Sequence, residues 1–497
     1  MSEPPRFRGS AAVVLVRGHG RELETFWVRR SEAVSFMPEF DAFIGGSTEP
    51  ADAELPLAGA ADDAGRMLRA CAIREAFEEA GVLVALDPAG APGADPATLA
   101  AARAQLLAGG VSFAALAARH GWRFRADALA PAGRWQTPPF ATTRFDTQYF
   151  LARVPDGQQA SVHAGELASG QWTTPAEAIA RWKQGDATFA APILHTLLGI
   201  AAGEDGLAAR LEAAPERSRT PVRRIELQWG VVLHPMRTKP LPPATHTNCY
   251  VVGERDAALI DPGGADPEDL EELFTLLDVL AREQRRVTIV LVTHHHPDHV
   301  AGLEAVRAHT SAPVAAHAAT ARHVHADVVL KDGDLVPLAP GPAGEWGLRA
   351  LHTPGHAAGH MCFLLPRTGA LFTGDHIPGG RGTVIIDPPD GDMHAYLAAL
   401  ERLLEEPVRT LFPGHGSPQG APQRRIRGLI AHRLERKAKV LAALGADPEP
   451  PQALVPRAYD DTPESLWRYA ERSLLAHLIE LEAEGHAARA GERWRRA

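Results

Sequence analysis

Apolar residues in the first two hundred positions fall into short runs separated by polar turns. Ala11-Ala12-Val13-Val14-Leu15-Val16 and Thr25-Phe26-Trp27-Val28 are strand-like, and Phe43-Ile44-Gly45-Gly46 follows them. A helical block is expected from about Gly65 to Ala80. Residues 90–131, rich in Ala, Gly and Pro with helical stretches, read as an insertion. From Ile225 the rhythm changes to strands alternating with helices. Ala257–Ile260 is strand-like, Pro267–Arg285 helical, Val287–Val292 strand-like, and a helix runs from His299 to about Thr310. That βαβ order implies helices covering a sheet. Beyond about residue 424 the pattern is mostly helical and ends in Pro463–Glu484. The expected division is a first domain over 1–206, a charged, Pro-containing linker over 207–224, a second domain over 225–423 and a small helical module over 424–497.

Composition narrows this picture. A chain of 497 residues is too long for one core. With 45% hydrophobic and 23% charged residues it has the make-up of a globular protein. No apolar stretch reaches the roughly 18–20 residues that span a bilayer. Met1-Ser2-Glu3-Pro4-Pro5-Arg6 lacks a secretory pattern, and three cysteines (Cys71, Cys249, Cys362) cannot build a disulfide framework, so a cytoplasmic location is expected. The net charge of −10 argues against a surface coated in nucleic acid. Locally, Arg424, Arg425, Arg427, Arg433, Arg436, Lys437 and Lys439 crowd one stretch against Glu435 alone, which reads as the solvated face of a helix.

The candidate chemistry follows the strand-like run 287–292. Thr293-His294-His295-His296-Pro297-Asp298-His299 places imidazoles and a carboxylate at a strand end, where a turn can fold them around a cation. His356 in Thr-Pro-Gly-His, Asp375 in Thr-Gly-Asp-His and His415 in Pro-Gly-His-Gly each follow a glycine that permits a tight turn. Five histidines and two aspartates suffice for two metals, with Asp375 able to bridge through its two oxygens. The other histidines (His295, His352, His360, His376, His394) read as neighbours or substrate-facing groups.

In this order these residues resemble the metallo-β-lactamase superfamily across roughly residues 225–425, which implies an αββα sandwich. By that resemblance His294, His296 and His356 hold one metal, Asp298, His299 and His415 hold the second, and Asp375 bridges. Asp261 would orient a histidine ligand, and Asp298 would act in catalysis. Zinc suits such ligation, and iron or manganese also fit. Aspartate at 375 resembles the glyoxalase II and nuclease branches. Thr245-His246-Thr247-Asn248-Cys249-Tyr250, Asp387–Met393, His432-Arg433 and Ala476-His477-Leu478…Leu481-Glu482…Gly485 are similar to the β-lactamase-like protein 2 family. That likeness implies a terminal winged helix, and the family's animal branch cleaves single-stranded RNA.

A second motif lies in the first segment, Arg74-Glu75-Ala76-Phe77-Glu78-Glu79-Ala80-Gly81. On a helix Glu75, Glu78 and Glu79 share one face, and oxygen-only ligation there favours magnesium or manganese. The segment resembles the Nudix box, with Gly45-Gly46 as the preceding loop and Arg74 orienting a glutamate. Glu78 and Glu79 would then be catalytic. The spacing departs from the box: residues 47–68 are inserted, and the upstream glutamate is missing from its expected place. Ser35-Phe36-Met37-Pro38 and Arg144-Phe145-Asp146-Thr147 resemble the coenzyme A diphosphatase-like branch.

The expected architecture is therefore α+β and α/β multidomain: a Nudix α/β/α fold, a metallo-β-lactamase αββα sandwich and a small winged-helix module. The expected function is a bifunctional metal-dependent hydrolase. A dinuclear site would act on an ester, thioester or phosphodiester, and a Nudix site on a nucleoside diphosphate-linked compound such as coenzyme A. The alternative is an RNA endonuclease whose Nudix segment only binds nucleotide. Partners are expected to be small nucleotides or thioesters, with RNA second and no membrane.

Overall fold

The computed structural model describes residues 7–59, 62–90, 95–139, 141, 143–163, 165–213, 224–242, 244–341, 344–380 and 382–497. They form two compact units, Met1–Trp229 and Gly230–Ala497.

In the first unit the strand Arg8–Arg17 is central to a mixed sheet. It runs parallel to Phe145–Arg153 and antiparallel to Glu24–Arg30 and Ile44–Ser47. Its alternate side chains enter two cores. Val13 and Leu15 pack with Ile73, Ala76 and Phe77 of the helix Asp63–Ala80, while Val14 and Val16 pack with Trp182, Ile193 and Leu197 from helices on the other face. A strand covered on both faces reads as an unbroken apolar run, which is why the sequence shows no alternation there. The expected insertion folds into the helices Pro96–Leu107 and Phe113–His120. Arg103 from it donates to the carbonyls of Glu78 and Glu79, satisfying orphan acceptors in the last turn of the helix Asp63–Ala80. The expected linker differs from what forms. Leu207–Glu212 is helical with Leu207 and Leu211 buried in the unit's core, because both are apolar and reach Val16 and Ile200. Residues 214–223 of that linker lie outside the described residues.

The second unit stacks two sheets. The first contains Val231–Arg237, His246–Gly253, Asp256–Ile260, Arg286–Leu291, Val314–His317 and Val328–Leu330, in that order. The second contains Leu335–Gly341, Gly344–His352, Met361–Leu365, Ala370–Gly374 and Thr410–Pro413. The sheets meet where Tyr250 stands edge-on to Phe372 and Phe412, at 5.1 and 5.7 Å between ring centroids. The helix Pro267–Arg282 packs beside the first sheet, and Met393–Leu403 buries Tyr396, Leu397, Leu400 and Leu403 against the second. This is the αββα sandwich. The helix expected from His299 instead forms one turn, Pro297–Val300, and then Leu303–Thr310, with Gly302 at the junction. Helices Pro422–Ala443, Pro451–Ala458 and Trp467–Ala483 and the hairpin of Ala487–Ala490 with Arg493–Arg496 follow in the same unit.

Candidate metal centres

In the second unit every expected donor sits just beyond a strand. Residues 294–299 follow Arg286–Leu291, His356 follows Gly344–His352, Asp375 follows Ala370–Gly374, and His415 follows Thr410–Pro413. Asp256–Ile260 and Arg286–Leu291 are parallel neighbours, as are Ala370–Gly374 and Thr410–Pro413, so their carboxyl ends open on one edge. Gly414 is required here, since a Cβ would lie 2.7 Å from His299 Cε1 and 3.0 Å from Asp375 Oδ1.

Hydrogen bonds fix which nitrogen of each ring faces inward. Asp261, at φ +52°, accepts from Thr293 N–H at 2.8 Å, Thr293 Oγ1 at 2.7 Å and His299 Nδ1 at 2.9 Å. Thr293 Oγ1, having donated, accepts from His294 Nδ1 at 3.0 Å. His356 Nδ1 donates to Ile385 O and His415 Nδ1 to His246 O, each at 2.8 Å. In the neutral tautomers that these bonds select, the Nε2 atoms of His294, His299, His356 and His415 carry the lone pairs. His294 Nε2 and His356 Nε2 both lie 3.0 Å from His296 Nδ1, yet that atom can donate only one proton. His299 Nε2 and His415 Nε2 lie 3.3 Å apart. Asp375 spans the two sets. Its Oδ1 is 3.2 Å from His299 Nε2 and 3.3 Å from His415 Nε2, and its Oδ2 is 3.6 Å from His356 Nε2. Asp298 Oδ2 lies 3.2 Å from His415 Nε2. Converging lone pairs and carboxylates repel unless a cation joins them, so this donor set fits bound metal.

The electrostatics agree. Burial holds His294 well below the usual imidazole range and lowers His296 to about 4, so both stay neutral donors at pH 7. Burial also disfavours charge on His299 and His415. The neighbouring carboxylates, Asp375 foremost, outweigh it and lift His415 to about 10 and His299 well above its ordinary value. Burial would raise Asp375, but His415 and His299 hold it well below the carboxylate range. Protons on those two rings stand where a cation's charge is wanted.

Of the histidines expected to be neighbours or substrate-facing groups, His360 is buried and accepts from Asp375 N–H at 3.2 Å. His376 is fully buried and packs on Tyr396, whereas His394 is exposed. His295 stacks on His323 at 4.0 Å and lies 3.8 Å from Asp390 Oδ2. The carbonyls of Ile385 and His246 were missed, because a backbone acceptor carries no residue-type signal.

In the first unit the three glutamates share a face of the helix Asp63–Ala80 but do not converge. Glu75 Oε1 accepts from Arg74 Nη1 at 2.8 Å, Glu78 Oε2 from the same atom at 3.2 Å, and Glu79 Oε2 from Gly45 N–H at 2.9 Å. Burial, reinforced by the other glutamates, raises Glu75 to about 8 and Glu79 to about 7 despite Arg74 and Gly45. Gly46 presses here, since a Cβ would fall 2.2 Å from Glu75 Oε1. The upstream glutamate is absent as expected, but another carboxylate stands upstream of the helix. Asp52, buried in the turn Pro50–Glu54, accepts from Arg74 Nε at 2.7 Å and from Nη2 at 3.3 Å. It follows Gly46 by six residues, and the inserted residues between it and Arg74 displaced it from the count made back from the helix. Phe36 and Phe145, from the two outlying motifs, meet at 5.4 Å.

A sandwich with this donor edge, in a chain that also carries a glutamate helix, defines a metal-dependent hydrolase. Residues 242–415 match the metallo-beta-lactamase superfamily, 60–200 the NUDT19 Nudix domain and 451–494 the beta-lactamase associated winged helix domain. A beta-lactamase-like protein 2 homolog of Drosophila melanogaster is 33% identical over 251 residues, covering 48% of this chain and 83% of that protein. The chain thus belongs to the beta-lactamase-like protein 2 family of the metallo-beta-lactamase superfamily, fused to a Nudix domain. An atrochrysone carboxyl ACP thioesterase of Claviceps purpurea is 30% identical over 201 residues, covering 40% of this chain and 60% of that protein. A NUDIX hydrolase of Alicyclobacillus acidocaldarius, 30% identical, aligns with 42% of this chain and 98% of its own at a TM-score of 0.38.

Proposed function

We propose that the second unit holds two divalent cations, preferably zinc, and hydrolyses a thioester. His294, His296 and His356 would hold one cation, Asp298, His299 and His415 the other, and Asp375 both. The observation that carries this is the Asp375 carboxylate, whose two oxygens face the two nitrogen sets separately. Cations in such a donor set lower the pKa of water and polarise a scissile carbonyl or phosphoryl oxygen. Asp298 stays ionised at neutral pH, because His415 outweighs the effect of burial, so it offers a charged oxygen at the site's rim. Asp261 fixes the tautomer of His299 and, through Thr293, that of His294.

The thioester reading is supported by the thioesterase name of the Claviceps relative. The RNA reading keeps the family likeness but loses part of its other support, because several of the basic residues between 424 and 439 are engaged by the protein itself. Arg433 and Arg436 are buried, Lys437 pairs with Glu480 and Glu484, and Lys439 with Asp460 and Asp461. For the first unit we propose magnesium- or manganese-dependent cleavage of a diphosphate in a nucleotide-linked substrate such as coenzyme A, with Glu75, Glu78 and Glu79 as ligands and Glu78 and Glu79 acting in catalysis. Purified protein assayed with zinc and magnesium against acyl-CoA thioesters, CoA and single-stranded RNA tests both assignments. RNA cleavage without thioester hydrolysis would reverse the choice.

A further inference from the structure

We infer that the helices beyond the sandwich set the orientation of His356, making Arg433 and Ser473 positioning residues of the metal centre. The inference rests on the reading of His356 as a cation ligand. The ring of His356 is oriented by one backbone acceptor, Ile385 O, at 2.8 Å. The residues on either side of Ile385 are gripped from the late helices. Val384 O accepts from Arg433 Nη2, and Ile386 N–H donates to Ser473 Oγ at 3.3 Å. Further along, Asp387 pairs with Arg472 at 3.0 Å, and Pro378 O accepts from Arg425 at 3.1 Å.

Two helices, Pro422–Ala443 and Trp467–Ala483, thus hold both flanks of the carbonyl. The same segment is pinned at its far end to the turn that carries His356. Asp392 N–H donates to Gly355 O at 2.8 Å, and Asp390 Oδ1 accepts from Ala358 N–H at 3.1 Å. Arg433 is only 2% exposed, and its guanidinium lies 5.2 Å from the Tyr396 ring centre. Burying a guanidinium is costly and is retained where its hydrogen bonds have a task. Here the task is to hold a carbonyl aimed at a ligand's Nδ1–H, a support whose loss commonly weakens metal binding.

The test uses the full chain, stripped of metal and titrated with zinc against a chromophoric chelator, with thermal unfolding measured beside it. Arg433→Met should weaken one of the two zinc equivalents by about tenfold or more. Ser473→Ala, which removes one neutral hydrogen bond, should weaken it by about two- to fivefold. Arg433→Lys should recover part of the loss. Arg436→Met, whose side chain serves Ala458 O and Asp461 instead, should lower the Tm and leave zinc affinity unchanged. Wild-type affinity in both Arg433→Met and Ser473→Ala would overturn the inference, as would an equal loss in Arg436→Met. Should Arg433→Met fail to fold, Ser473→Ala decides alone. A wild-type protein that binds no zinc would instead overturn the metal reading of His356 itself.

Discussion

In the first unit three glutamates ride on one helix, Asp63–Ala80, whereas in the second the donors arrive from four different strand ends. The helix brings its donors together by local spacing alone, but they are like charges. Glu75 and Glu78 share Arg74 Nη1 between them, and Glu79 has turned to Gly45 N–H. The strand ends bring together imidazoles, of which His294 and His296 are held neutral by burial and approach to 3.0 Å. Assembly of the first site is therefore limited by the burial of like charges: desolvation first, and then repulsion between glutamates, lifts Glu75 to about 8 and Glu79 to about 7. Assembly of the second is limited by long-range folding, which brings His299 and His415 together only when both sheets have formed.

This contrast can be broken at either end. Asp298→Asn should reduce hydrolysis by the second unit by about 10³-fold, as expected when a charged group at the reacting centre is removed, while diphosphate cleavage continues. Full activity with two bound zinc ions would remove Asp298 from the site. Conversely, Glu78→Gln should cost the first unit about 10²-fold and leave thioester hydrolysis untouched. Unchanged diphosphatase activity would reduce this helix to a binding element.

The smaller effects sharpen the electrostatic side. Asp52→Ala should destabilise the first unit by about 1–3 kcal/mol, because it strips Arg74 of a buried bidentate partner, and denaturant titration measures this. The last effect depends on pH. Glu75 and Glu79 have folded pKa values of about 8 and about 7, against an ordinary 4.5. The folded chain thus keeps protons that the unfolded chain has released. Without divalent cations the contribution of these two groups to stability should be full below about 4.5 and fall as pH rises towards 8. Magnesium binds the ionised form, so the rise in Tm it produces should grow over that interval. An increment that stays constant with pH would place magnesium elsewhere.

Much of both sites could be read from side-chain types. Thr293–His299, His356, Asp375 and His415 each carry a donor beside a turn-forming residue, and the sandwich brings all of them to one edge. What could not be read were partners that leave no such trace. The Ile385 and His246 carbonyls could belong to any residue, and Asp52 was separated from Arg74 by inserted sequence. The basic stretch 424–439 misled in another way. Its spacing suits a solvated face, but Arg433 and Arg436 point inward, because carbonyls of Val384 and Ala458 need donors there. Counting charge along a chain does not reveal which side of a helix the rest of the fold will cover.

The hold of the two late helices on residues 384–387 also imposes a timetable. His294 and His296 leave the ribosome first, His356 and His415 follow, and Arg433 and Ser473 emerge later still. Folding proceeds by units as the chain emerges. A nascent polypeptide that already displays every donor still lacks the props behind one of them. On the proposed reading, loading of the centre would thus be coupled to the synthesis of Ser473 rather than to that of the last donor.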